Sequence, residues 1–193
     1  MFFLACTIVF FYHRFIMIID IKDVFEFAKL RIECHVRALN YFANMFGYNF
    51  PDHDGDKNLE PVRTGYAYIL YAIYHKNFCL TKDQELLALD AKNTHHKYAS
   101  HHIQHYADIA DIPDIRLYEM VSDWASANFE QKNILCIENS IELADWVNKN
   151  QLNLNWTPHQ LEIIRNAVKT IENQSDTNTL RAIWQPVLAL MDL

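Results

Sequence analysis

Three glycines (Gly47, Gly55 and Gly65) and five prolines are all the backbone punctuation this 193-residue chain has. Sandwiches and barrels need turn chemistry at a spacing of about 8–12 residues, and turns draw on glycine and proline. So few breakers favour long helices. The same scarcity excludes a glycine-rich phosphate loop, because neither GxGxxG nor a Walker pattern can be built from three scattered glycines. An apolar fraction of 51%, with 13% aromatics, supports a packed core over disorder. The length fits one domain. The expected class is therefore all-α, a single-domain helical bundle.

The pattern along the chain supports this. Val24, Ala28, Arg31, His35, Leu39, Phe42 and Phe46 recur at i, i+3/i+4, predicting a helix from Asp20 to Phe46. Asp20 is its cap and Gly47 its stop. His35 then lies on an inward face. A polar turn follows at 48–57, and a helix is expected from near Asn58, with Pro61 in its first turn and Tyr66, Tyr68, Tyr71 and Tyr74 along it. Thr81 and Gln84 make a capping box for a helix packed by Leu86, Leu87 and Leu89. Asp111-Ile-Pro-Asp114 breaks the chain and caps a helix running from Ile115 to about Phe129. Further helices are expected near Ser140–Asn150, from the Thr157 cap to about Glu172, and over Leu180–Leu190. The segment 131–193 reads as scaffold or oligomer surface, and 30–130 as the core that carries the chemistry.

Residues 1–19 form a separate apolar N-terminal segment ahead of the domain at 20–193. Its eleven Phe, Leu, Ile and Val residues are interrupted by His13 and Arg14. On an insertion scale the apolar residues contribute about −5 kcal/mol and the arginine about +3, a marginal balance for a span. No positive region precedes the apolar run, so a cleaved signal peptide is not expected. Three readings stand: a packed or interfacial segment, a membrane anchor, or an upstream extension. Lys22, Lys29 and Arg31 would keep the domain of an anchored protein in the cytoplasm.

A formal charge of −7 without a basic run argues against sequence-independent nucleic-acid binding. Cys6, Cys34, Cys79 and Cys136 are scattered with no CxxC, which fits reduced thiols in the cytoplasm and neither a thiolate zinc site nor a disulfide framework.

The chemistry concentrates in Thr94–His105, THHKYASHHIQH, which holds five of the ten histidines. Imidazole is a ligand for zinc, iron, nickel and copper, and carboxylates extend the range to manganese and magnesium. On a continuous helix, His95 and His102 would lie about 20° apart. His101 and His105 would form a neighbouring i, i+4 pair, with His96 pointing away. Partners from elsewhere are His35, the His53-Asp54 doublet, and Asp123, four residues after Glu119 on a later helix.

The order His35, His53-Asp54, His95, His101-His102, Asp123 resembles the HD-domain superfamily of helical metal-dependent phosphohydrolases. The run from His53 to Lys57 is similar to that family's HDxxK stretch. A nearer resemblance is to an uncharacterised HD-like family of bacteria and phages. It covers about residues 30–130 and is carried by Ala91, His95, His101-His102 and the EMxxDW run Glu119–Trp124. The chain departs from that pattern with Asp56 where Ser is expected, with Ser100 near the place of an Asn, and with a short interval from His35 to His53. The resemblance implies an HD-type bundle and one or two divalent ions (Mn, Fe, Zn or Mg). The implied metal ligands are His35, His53, Asp54, His95, His101, His102 and Asp123. It also places Lys57 near substrate phosphate. The residues' own chemistry adds two catalytic candidates: Asp54, placed to bridge metal and attacking water, and Glu119, one turn before Asp123, to orient a ligand or take a proton.

The residues themselves support the chemistry. Imidazoles and carboxylates together neutralise a divalent cation and leave coordination positions open for activating water. The expected function is hydrolysis of a nucleotide or other small phosphate ester. The alternatives are a di-iron HD-type oxygenase and a non-catalytic metal-binding or interaction protein.

Overall fold

The apolar stripe beginning at Val24 folds into one long helix, and the other helices are laid against it. The structure, a computed structural model, describes residues 20–191; the apolar segment 1–19 lies outside the described residues. Helix α1 spans Ile21–Ala43, and the Asp20 carboxylate accepts from the Lys22 N–H at 2.9 Å. The last turn tightens into a 3₁₀ turn over Asn44–Phe46, and Gly47 ends it with a φ of 78°. That left-handed value costs glycine no Cβ clash.

Six helices follow: α2 (Val62–Tyr74), α3 (Lys82–Tyr98), α4 (Asp114–Phe129), α5 (Leu143–Asn150), α6 (Pro158–Gln174) and α7 (Thr177–Met191). There is no strand among the described residues, so the chain is all-α. Both capping boxes form, Thr81 with Gln84 and Thr157 with Gln160. Three starts differ from expectation. Helix α2 begins at Val62 because Gly55–Asn58 closes its own 3₁₀ turn and Leu59 is extended. Helix α5 begins at Leu143, not Ser140. Helix α7 begins at Thr177, not Leu180, because the Asp176 carboxylate accepts from the N–H groups of Asn178 and Thr179. No helix among the described residues is long and apolar enough to cross a membrane.

Helix α1 touches α2, α4 and α7, while α6 packs on α4 and α3 packs on α2. The main core gathers Leu117, Met120 and Val121 of α4, Ile164 of α6, and Trp184 and Val187 of α7, all out of solvent. Cys34 is a buried free thiol, and Cys79 and Cys136 are exposed free thiols.

The packing face of α3 is a correction. Leu86, Leu87 and Leu89 are about half exposed or more; the buried stripe is Ala88, Ala91 and His95. Small residues win that face because α2 comes very close. A Cβ added to Gly65 would overlap the Leu87 carbonyl and the Ala91 side chain. Gly65→Ala must push α3 outward. We expect it to lower stability by about 1–3 kcal/mol, read as an earlier urea midpoint.

Arg31 was readable as an inward residue of α1; its partner was not. A π-turn at Glu130–Ile134 extends α4 and brings in Glu130, ninety-nine residues away. Arg31 Nε donates to Glu130 Oε1 at 2.8 Å, a second guanidinium N–H reaches Oε2, and the Tyr74 hydroxyl also donates to Glu130. All three are buried. Burial opposes a charge on Glu130, but Arg31 and Tyr74 hold its carboxyl below the ordinary range. Breaking such a pair from one side costs about 3–5 kcal/mol, so Glu130→Gln should lower unfolding stability at pH 7 by that order. A depressed carboxyl contributes above its unfolded value of about 4.3 and loses the contribution as pH falls through its lower folded value. The gap between wild type and Glu130→Gln in denaturant melts should therefore narrow below about pH 4.

Candidate metal centre

Five parts of the fold aim side chains at one point. Helix α1 supplies His35. The turn after Phe50 supplies His53 and Asp54, with Asp54 at a left-handed φ of 61° that Asp tolerates. Helix α3 supplies His95, the turn after it supplies His101 and His102, and α4 supplies Glu119 and Asp123.

Asp54 is at the middle and is 2% exposed. Its Oδ1 lies 3.6 Å from His53 Nε2, 3.4 Å from His95 Nε2 and 3.6 Å from His101 Nε2. Its Oδ2 lies 3.8 Å from His35 Nε2. Asp123 Oδ1 is 2.9 Å from His35 Nε2 and 3.6 Å from His53 Nε2. His102 Nε2 approaches His95 Nε2 to 2.8 Å. Two clusters with ion-holding spacing result, His35–His53–Asp123 and His95–His101–His102, with Asp54 between them. A third grouping, His53–His101–Glu119, overlaps both.

Three of these rings are held from behind. The Nδ1 of His35 bonds Ser126 Oγ at 3.0 Å, and that hydroxyl donates in turn to the His35 carbonyl. The Nδ1 of His53 donates to Glu119 Oε1 at 2.9 Å, and the Nδ1 of His95 donates to Asp56 at 2.8 Å. A carboxylate can only accept, so the hydrogen sits on Nδ1 and Nε2 faces the centre. This is how metal-binding histidines are oriented.

Of the atoms that meet in the middle, Asp54 Oδ1 has the Lys57 ammonium at 2.8 Å. His53 Nε2, His101 Nε2 and Asp54 Oδ2 are buried without a hydrogen bond. Buried polar groups are normally satisfied, because leaving one unpaired costs about 1–3 kcal/mol. Here three such atoms converge, two ring nitrogens and a carboxylate oxygen, which is a donor set that fits a divalent cation. The electrostatics agree. Burial is the main cause that lowers His35, pushes His101 to about 3 and pushes His102 to about 2, with the Arg31 charge adding to it at His35 and the His53 charge at His101, so these rings stay neutral. Burial also disfavours a charge on His53, but Asp54, Asp123 and Glu119 raise it to about 10. The carboxylates thus call for positive charge at that point. Against burial, Lys57, His53 and His35 hold the Asp54 carboxyl well below the usual carboxylate range. Against burial, the His35 ring at 2.9 Å and the charge of His53 do the same for Asp123.

The histidine segment is not one helix, which corrects the sequence reading. Helix α3 stops at Tyr98, where Ala99 is extended, and His101 and His102 stand on the turn beyond. His95 and His102 still meet, because the turn folds the chain back over the end of α3. His96 does not point away: its ring centre is 4.3 Å from that of His102. His105 is exposed and bonds the Lys97 carbonyl at 3.2 Å. Lys57 departs from expectation too. Its ammonium lies 2.8 Å from Asp54 Oδ1 and 4.5 Å from the Tyr66 ring centre, and it is almost wholly buried.

An open cleft of about 460 Å³ reaches the cluster, lined by His53, Asp54, Asp56, Ser100, His101, Arg116 and Glu119 among others. Sequence reasoning missed Asp56, Arg116 and Ser126. Arg116 could have been found from its i, i+3 spacing to Glu119, to which it is ion-paired. Asp56 and Ser126 carry no such signal, since their histidines are far off in the chain.

A family model described as "Family of unknown function (DUF5662)" matches residues 23–176. No curated protein and no solved structure matches the chain.

Asp56 stands where the resembled pattern has Ser, and it holds His95. Asp56→Ser should weaken binding of zinc or manganese by about ten- to a hundredfold, measured by equilibrium dialysis with elemental analysis. An unchanged affinity would leave Asp56 no part in orienting that ring.

Proposed function

The chain belongs to this family of unknown function, and since that name carries no activity we propose one from the site: an HD-type, metal-dependent phosphohydrolase acting on a nucleotide or another small phosphate ester. One observation carries the reading. Ligand-type atoms from distant parts of the chain converge, buried and unbonded, beside an open cleft. A packed interaction protein would have no use for three unpaired polar atoms next to an open entrance.

In this reading His35, His53, Asp54 and Asp123 would hold one divalent ion (Mn, Fe, Zn or Mg), and His95, His101 and His102 would hold a second beside Asp54. Such ions would supply Lewis acidity toward a phosphoryl oxygen and a water of lowered pKa. The protein's own groups do the rest. Asp54 has an oxygen toward each cluster and orients water between them. Glu119 has both oxygens engaged, by His53 and Arg116, so it acts by fixing His53 rather than by carrying a proton. Lys57 neutralises Asp54 and keeps that carboxylate ionised in its buried place. The same reading puts the domain in the cytoplasm with reduced thiols.

The test is elemental analysis of the purified protein beside a panel of phosphomonoesters, phosphodiesters and nucleotides. The His53→Ala and Asp123→Ala variants are run in parallel. Wild type should carry divalent metal and hydrolyse part of the panel, and both variants should lose metal and activity together. Metal content unchanged in both variants would remove the site. Bound iron with oxygen consumption and no hydrolysis would move the assignment to an oxygenase.

A further inference from the structure

We propose that Arg116 is the anchor for the substrate's anionic group, and that this group is a terminal phosphate, making the substrate a phosphate monoester. The inference rests on the phosphohydrolase reading above and names its substrate class. It starts from an imbalance in the cleft. The lining includes four carboxylates, Asp52, Asp54, Asp56 and Glu119, and one permanently cationic side chain, Arg116. An anion entering between those walls is repelled unless a fixed positive charge meets it.

Lys57 does not fill that role. Its ammonium is taken by Asp54 and the Tyr66 ring, and it lines a different cavity, against Phe25 and Arg63 of the α1–α2 side. Arg116 is built for it. It sits in the first turn of α4, its side chain is 37% exposed, and it is tethered through Nη1 to Glu119, which is 3% exposed. The tether holds the guanidinium where the buried cluster opens to solvent. Its other N–H groups make no hydrogen bond among the described residues and remain for a ligand. A guanidinium presents paired donors that match two oxygens of one phosphoryl group. A terminal phosphoryl group has three non-ester oxygens, enough for the arginine fork and for the histidine–carboxylate cluster. A diester has two and must give up one contact.

The experiment measures binding, so it is independent of turnover. Inorganic phosphate and dimethyl phosphate are titrated calorimetrically into wild type, Arg116→Gln and Arg116→Lys, with metal content determined on the same samples. Wild type should bind phosphate more tightly than dimethyl phosphate. Arg116→Gln should weaken phosphate by about tenfold or more at equal metal content, with Arg116→Lys between them. If Arg116→Gln sheds metal, Arg116→Lys decides, since it keeps the charge beside Glu119 and loses only the fork. Phosphate affinity within twofold of wild type in the deciding variant overturns the proposal, as does phosphate binding too weak to measure in wild type. Equal binding of dimethyl phosphate overturns the monoester assignment. Arg116-dependent phosphate binding in a protein that hydrolyses nothing would sink the hydrolase reading and leave the anchor standing.

Discussion

The carboxylate of Asp54 sets the terms for the rest of the structure. It is buried, its Oδ2 has no hydrogen bond, and it is faced by the imidazoles of His35, His53, His95 and His101. An ionised carboxylate out of water is costly unless positive charge compensates it. Lys57 supplies one charge, at Oδ1. The ring nitrogens of His95 and His101 facing Asp54 supply lone pairs instead, which is the arrangement a shared cation would complete.

Holding four rings in place demands rigidity behind them. Ser126, Glu119 and Asp56 each take one Nδ1, and each stands on a different element from its histidine. The elements are locked in turn. Gly65 lets α2 and α3 approach closely enough to set His95 beside Asp56. Arg31, one turn before His35, ties α1 to the π-turn that follows α4. The α1–α4 contact that this pair helps fix is also the one that brings His35 to Asp123. Scaffold and site therefore share the same helices, and a disturbance of the first reaches the second.

Much of the fold was legible locally. Asp20, the Thr81–Gln84 box and the Thr157–Gln160 box make their bonds within three residues, and Gly47 takes its left-handed turn in place. The ordered set of His35, His53-Asp54, His95, His101-His102 and Asp123 was also visible as residue types in sequence, and the structure brings them together. What failed were judgements about faces. The leucines of α3 looked like a core stripe, but Ala88 and Ala91 hold that side because the neighbouring helix leaves no room for larger residues. The histidine run looked helical throughout, yet it bends after Tyr98.

By itself the sequence determined the helical class, the caps and the inventory of ligand-type side chains, because these depend on hydrogen bonds and periodicities spanning a few residues. Only the tertiary structure decided that Asp56 serves His95, that Lys57 turns in to Asp54, and that Arg116 stands at the cleft. Those assignments depend on contacts between elements up to tens of residues apart, and on which way a long side chain bends when a buried charge lies within its reach. Local spacing offers the Lys57–Asp54 and Arg116–Glu119 pairs, but not their burial or their place at the cleft.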